Sequence, residues 1–321
     1  MIFEKQNNIK LFVLNESTLY KNGYLLGLLS KENLNLNKYL QIKKNLYEIL
    51  QKKYTKKIYN LIIYQIQNWI KKIKNKYEEC IQDIIGFSHA LGIFDDTILE
   101  VNILLDIFDY MCTLGANIQD SFNLRILDLD KEFKKIIIDH NIPLSVIIYK
   151  IKNKLQYISF CHIGFFNFHT TFINESIIST FSWNNLDLKT FIKNEIPPLF
   201  KLKYNILKFR NIKNIYNNIS NQNIIYDGYV MLMNKEIVYL YDFNSKRNNN
   251  IISNNKHVLI SDFDVNINMN LNKFMKDSFK NIPSKLRCFS ILYDFKEQIF
   301  YINNHLYKNE FIKINLNIHL N

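Results

Sequence analysis

The chain has 321 residues, 48% of them apolar and 22% charged, enough for one large core or two modest domains, which excludes disorder throughout. Seven Gly and four Pro beside 24 Phe and 20 Tyr exclude collagen-like and Pro/Gly-rich low-complexity architecture. The formal net charge of +12 is uneven: between Lys43 and Tyr77 stand ten lysines and a single acid, Glu48.

Taken in chain order, Met1 to Asn15 carries Glu4, Lys5, Gln6, Asn7 and Asn8 where a secretory signal needs an apolar run, so the expectation is a non-secreted, cytoplasmic protein. The alternation of Ile9, Leu11 and Val13 predicts a strand. From Leu34 the pattern turns helical. Ile62, Ile66, Trp69, Ile73 and Tyr77 recur at steps of three and four, a buried stripe with Lys71, Lys72, Lys74 and Lys76 largely outside it. The most apolar window, Ile58 to Ile73, is broken by Asn60, Gln65, Gln67, Asn68, Lys71 and Lys72, so no membrane-spanning helix is expected. A second helix is predicted from Tyr77 to Leu91 with Gly92 as its C-terminal cap. A third begins at Asp95 and Asp96, whose carboxylates suit the unpaired first-turn N–H groups, and runs out near Tyr110 and Met111.

Past that point short β-compatible runs take over. A hairpin is predicted from 113–118 and 122–129 around Gln119-Asp120-Ser121, with further strands at 144–149, 155–161, 176–183, 224–233, 236–242, 257–263, 287–293 and 298–302. The Asn-rich stretches 211–223 and 244–256 read as loops, although 199–219 has room for a helix. The chain thus divides into a mainly helical segment, 1–111, and a β-rich remainder, 112–321: an α/β protein of stacked sheets covered by helices.

The lysines between 43 and 76 read most simply as the solvated face of two helices. Their functional reading is attraction to anionic lipid headgroups or nucleic acid. With no zinc finger, RNP-type aromatic motif or helix-turn-helix beside them, nucleic acid is not expected and an anionic membrane surface is the candidate partner. Cys80, Cys112, Cys161 and Cys288 are scattered without a C-x-x-C pair or zinc-type Cys/His spacing, which reads as reduced thiols. His162 and His169 sit on a Phe-rich segment and read as core residues, Asp128 and Asp130 as surface acids, and Glu78 and Glu79 as offsets to nearby lysines. No metal or cofactor is implied.

Arg125 falls within a strongly apolar strand, where an unpaired cation is costly, so it needs a carboxylate or a cluster of acceptors. Asp128 is the nearest in sequence. A regular strand puts positions 125 and 128 on opposite faces, so their pairing requires a bulge or the end of the strand near Asp128. On these residues alone, Cys112 reads as a buried thiol beside a structural ion pair.

The surrounding chain adds a resemblance. Gln82-Asp83-Ile84-Ile85-Gly86-Phe87, Leu91-Gly92-Ile93, Thr97 to Asn102 and Asp106 to Thr113 resemble the segment leading to the nucleophile in the acid ceramidase and N-acylethanolamine acid amidase family. These are N-terminal nucleophile (Ntn) hydrolases, related to penicillin acyltransferase-like and bile salt hydrolases. Arg125-Ile126-Leu127-Asp128-Leu129 stands where the family has Arg-Asn-Leu/Met-Asp followed by an aromatic residue. Phe160 to Phe165 resembles its glycine-bearing strand, Tyr226 to Leu232 and Val238 to Leu240 its later hairpin, and Ser261-Asp262-Phe263-Asp264 takes the place of Thr-Asn-Tyr-Asp. The similarity spans roughly Leu61 to Phe263.

The resemblance implies an Ntn-type αββα sandwich with a helical N-terminal segment, and a concrete chemistry. The precursor would cut itself before Cys112, the two pieces staying associated, and the new α-amino group would serve as the base for the Cys112 thiol. The thiol would attack the amide of an N-acylated lipid, of the N-acylethanolamine or ceramide type, and pass through a thioester. Arg125 would orient the nucleophile or the bound carbonyl, Asp128 would hold the α-ammonium, and Phe165 and Phe166 would line an acyl-chain pocket. Three departures stand out. Asp262 occupies the place of the family's oxyanion-donating Asn, where a lost donor costs on the order of 3 kcal/mol, or about a hundredfold in rate. The family's acidic residue after the glycine-bearing strand is Asn184 or Asn185 here. Asp262, together with the family's downstream Arg, which is not recognisable near Asn266 to Lys276, keeps open the alternative of a catalytically degenerate member that binds a lipid or a membrane. The family's usual lysosomal setting also stands against the cytoplasmic expectation.

Overall fold

A computed structural model describes residues 2–5, 8–107, 110–117, 121–129, 131–166, 170–173, 175–182, 196–220, 228–242, 250–253, 257–261, 287–306 and 312–317. The protein is mixed α/β, as its sequence pattern predicts. The chain opens with β1 (Ile2–Lys5) and β2 (Ile9–Glu16), followed by helices α1 (Leu19–Ser30), α2 (Leu36–Lys53), α3 (Lys56–Lys76), α4 (Gln82–Leu91) and α5 (Asp95–Ile107). Next come β3 (Tyr110–Asn117), β4 (Phe122–Leu129), α6 (Lys131–Asp139), β5 (Leu144–Ile151), β6 (Lys154–His162), β7 (Thr170–Ile173) and β8 (Ser176–Ser182). Then follow α7 (Pro198–Phe209), α8 (Ile212–Ser220), β9 (Gly228–Met233), β10 (Val238–Asp242), β11 (Asn250–Ser253) and β12 (His257–Ser261). The last strands are β13 (Arg287–Asp294), β14 (Ile299–Asn304) and β15 (Ile312–Asn315).

The helices form where apolar spacing and caps agree. Asn35 accepts from the backbone N–H of Lys38 to open α2, which buries Tyr39, Ile42, Leu46 and Leu50 at helical steps. In α3 the expected stripe is buried at Ile62, Ile66, Trp69 and Ile73. Gly92 closes α4 in the left-handed conformation with φ +67°, as expected of a C-cap. Helices α1 and α4 cross in backbone contact: a Cβ on Gly23 would stand 1.9 Å from the Asp83 carbonyl oxygen.

Two sheets organise the rest. A nine-stranded sheet runs β1-β2-β5-β6-β7-β8-β9-β10-β11, and a six-stranded sheet runs β12-β3-β4-β13-β14-β15. Every pairing is antiparallel except β2 with β5, whose parallel register runs from Ile9 opposite Leu144 to Glu16 opposite Ile151. The front segment therefore contributes strands to the same sheet as the remainder. Helices lie on one face of the nine-stranded sheet, α1 over β2 and β5 and α8 over β9 and β10; α4 packs on α1, α5 on α4, α2 and α3 on α5, and α6 on α2. The six-stranded sheet packs on the other face through aromatic rings: Phe160 and Phe300 at 4.7 Å, Phe172 and Tyr293 at 5.1 Å. Helices, large sheet and small sheet are the three successive layers among the described residues. No described helix is long and apolar enough to cross a membrane.

Several local expectations need correction. Of the two readings left open for 211–223, the helix over 199–219 rather than the loop is the one found: α7 and α8 cover Pro198–Phe209 and Ile212–Ser220, and in α8 Ile212, Ile215, Tyr216 and Ile219 bury one face while Asn214 and Asn217 stay exposed. The second such stretch contains β11, paired with β10. Helix α5 ends at Ile107, and Tyr110 and Met111 already belong to β3. Helix α5 does begin at Asp95, with Asp95 and Asp96 in its first turn as expected, and these carboxylates also find side-chain partners: Asp95 accepts from Ser88 Oγ, and Asp96 pairs with Lys74 at 2.8 Å.

Candidate functional site

The six-stranded sheet carries three of the positions singled out in the sequence. Strand β3 pairs with β4 without a register shift, placing Cys112 opposite Leu127, Leu114 opposite Arg125, Ala116 opposite Asn123 and Met111 opposite Asp128. Directly opposite residues share a face, and faces alternate along a strand. Positions 112, 114, 116, 123, 125 and 127 therefore form one set, and 111 and 128 belong to the other.

Described side chains identify the first set as the face turned to the nine-stranded sheet. Buried Asn123 donates from Nδ2 to the Met233 sulfur of β9 at 3.9 Å. On β13, Phe289, opposite Leu127, meets the His162 ring at 6.0 Å, and Tyr293, opposite Asn123, meets Phe172. Cys112 and Arg125 thus hold positions in the layer between the sheets, two residues apart in register. Strand β3 approaches β8 of the other sheet to within 8 Å between Cα atoms, closer than the usual sheet spacing of about 10 Å.

Asp128 stands differently. The irregularity that an Arg125–Asp128 pairing would need lies on the neighbouring strand, between Arg287 and Phe289 of β13, and leaves β4 regular through Leu129. The two residues keep opposite faces. Arg287 of β13 stands opposite Asp128 instead, an opposite-charge register pair that sequence spacing had no means to reveal. On the other side of β3, Ser261 of β12 stands opposite Thr113, the neighbour of Cys112. Asp262, the next residue, lies outside the described residues, as do Asp130, His169, Asn184 and Asn185.

Phe165 and Phe166 follow β6 and are both buried, 4% and 6% exposed. Phe165 belongs to an aromatic row, packed on Phe133 at 5.9 Å and on His162 at 6.4 Å, which continues to Phe289 and so to the register level of Cys112. Phe166 belongs to the helix side: its ring meets Phe87 of α4 edge-on at 5.1 Å, Lys203 Nζ lies 5.6 Å from it, and its N–H donates to Asn102 Oδ1 at 2.6 Å. Burial holds the His162 imidazole down at about 4, so this ring is neutral over the physiological range.

A second polar cluster lies under the helices. Lys203 Nζ of α7 contacts both carboxylate oxygens of Asp83 in α4, at 2.7 and 2.8 Å, and Tyr157 OH of β6 donates to the same carboxylate at 2.9 Å. All three are buried. Asn102 of α5 likewise donates to the Gly164 carbonyl at 3.3 Å. Burial pushes the nearby thiols up, Cys80 to about 12 and Cys161 to about 11, which makes both poor nucleophiles at neutral pH. Among the described residues no three His, Cys, Asp or Glu side chains are grouped to hold a metal ion.

No protein-family model matches the chain, and no characterised protein matches it.

Proposed function

We propose that the protein is a cysteine Ntn amidase that cuts itself before Cys112 and hydrolyses the amide bond of an N-acylated lipid. The supporting observation is the register of β3 and β4, which gives Cys112 and Arg125 neighbouring positions on the inner face of a two-sheet sandwich. The stacked sheets with helices over the larger one agree with three layers of the Ntn-type αββα plan. Cleavage would remove Tyr110 and Met111 from β3 and leave Cys112 as its first residue.

The chemistry follows from two matched acidities. An α-amino group has a pKa of about 7.7–8.0 and a cysteine thiol about 8.5, so one residue supplies both base and nucleophile near neutral pH. The amine takes the thiol proton, sulfur attacks the amide carbonyl, and the protonated leaving amine departs from a thioester. Water, deprotonated by the same amine, releases the acid. Arg125 is suited to orient the carbonyl, and Asp128, with Arg287 across from it, to fix the strand end. The Phe165 row would receive the acyl chain. Residues 1–111 would remain attached through the β2–β5 pairing and the buried Asp83–Lys203 contact.

A second reading, a degenerate member that binds a lipid without turnover, draws on Asp262 and on the outer-face position of Asp128. A fluorogenic fatty-acyl amide separates the two. The amidase reading expects turnover that Cys112→Ala abolishes and that Asp262→Asn raises about a hundredfold by restoring an oxyanion donor. Lipid binding with no turnover in either wild type or Asp262→Asn would favour the degenerate reading.

A further inference from the structure

The helical hairpin of α2 and α3 turns its apolar stripes inward and leaves a row of cations outside. Lys52, Lys53, Lys56 and Lys57 are all exposed at the hairpin tip, and Lys71, Lys72, Lys74 and Lys76 are exposed towards the far end of α3. Tyr64 stands between the two groups, 65% exposed, an uncommon state for so large a ring. Lys57, Tyr64 and Lys71 follow one another at seven-residue steps, so they share a face of a straight helix over roughly 21 Å.

The acids nearby are unevenly placed. At the far end, Lys74 pairs with Asp96, and Asp95, Glu78 and Glu79 stand close in sequence or space. On α2, Glu48 faces Lys44 at 3.9 Å, and Lys43 is drawn inward to Glu100. Between Glu48 and Glu78 the sequence carries no acid, so the hairpin tip brings four exposed lysines together with no carboxylate in the same stretch of chain.

We infer that the α2–α3 hairpin docks on an anionic phospholipid bilayer, with the tip lysines against the headgroups and Tyr64 at the interface. A set of exposed ammonium groups without a single arginine suits a diffuse charged surface. Base or phosphate recognition in a groove favours the planar arginine fork. Tyrosine is the residue type that settles at the headgroup level of a membrane. The inference is independent of the chemistry at Cys112, and its test needs no turnover.

The test is co-sedimentation of the full-length protein with vesicles of phosphatidylcholine alone or with 30 mol% phosphatidylserine. Binding is expected only to the anionic vesicles, falling steeply with added salt. Each tip lysine lost should cost about fivefold in partitioning, so changing Lys52, Lys53, Lys56 and Lys57 together to Gln should cost more than a hundredfold. A control with the same charge change on exposed lysines elsewhere, Lys152, Lys154, Lys213 and Lys235 to Gln, should keep most of the binding. The inference fails if wild type ignores the anionic vesicles or if both quadruple variants lose equally. It also fails if duplex DNA at equal phosphate strips the protein from the vesicles, which would assign the surface to nucleic acid.

Discussion

On the helix side of the nine-stranded sheet, charged and amide groups are buried in specific pairs: Asp83 with Lys203 and Tyr157, Asn102 with Gly164 and Phe166, Asn22 with the Lys150 carbonyl at 2.7 Å. On the other side, between the two sheets, the described contacts are mostly rings: Phe160, Phe172, Phe289, Tyr293 and Phe300. The difference lies in what each layer specifies. Each of these pairs joins a residue before Cys112 to one after it, and a buried charge that loses its partner is strongly destabilising. That layer therefore sets how the front segment sits on the rest. The inter-sheet layer is held by non-directional burial, and it is the layer that contains the positions of Cys112 and Arg125.

The largest expected effect of breaking this contrast is on the helix side. Lys203→Met leaves the Asp83 carboxylate buried without its cation and should destabilise the fold by about 3–5 kcal/mol, measured by urea unfolding. Adding Asp83→Asn removes the stranded charge and should recover most of the loss. If the single variant costs no more than an exposed Lys→Met change, the polar specification of that layer is wrong.

The inter-sheet layer should show itself through pH. His162 is held near 4 by burial, below the usual 6.5, so between those values the unfolded chain binds a proton that the folded protein does not. Stability from this site is complete above about pH 6.5 and is lost as pH falls towards 4, a difference of about 3 kcal/mol. His162→Leu should flatten that part of the wild-type profile. An unchanged slope would place the titration elsewhere.

A smaller effect sharpens the comparison in the opposite direction. Thr170 Oγ1 of β7 is buried with no hydrogen-bond partner among the described residues. It shares the inward face with Phe172, so Thr170→Val replaces an unmatched hydroxyl by a methyl group and should stabilise by about 1 kcal/mol. A loss of stability would mean that the hydroxyl has a partner.

Local periodicity made much of this fold legible. The α3 stripe, the Gly92 cap and the β3–β4 hairpin all rest on contacts within a few residues, and each was readable from spacing. Helix α8 was legible only as an alternative to a loop, because asparagine signals a loop in isolation while Tyr216 meets Tyr239 and Tyr241 of β10 only after folding. The parallel pairing of β2 with β5 joins residues more than a hundred apart and leaves no mark in either segment. The same distance hid Arg287 from Asp128 and Lys203 from Asp83. For the candidate site, the family resemblance singled out Cys112 and Arg125, and the register places them two residues apart on one face, whereas β4 is regular through Leu129 and so lacks the bulge that a pairing of Arg125 with Asp128 requires.

The most direct measurement is the mass and N-terminal sequence of the purified protein on denaturing separation, at mildly acidic and neutral pH. The account predicts two pieces, residues 1–111 and 112–321, the second beginning with Cys112, and an uncut chain for Cys112→Ala. A wild-type chain that stays whole at both pH values, or a new terminus at any other residue, would contradict it.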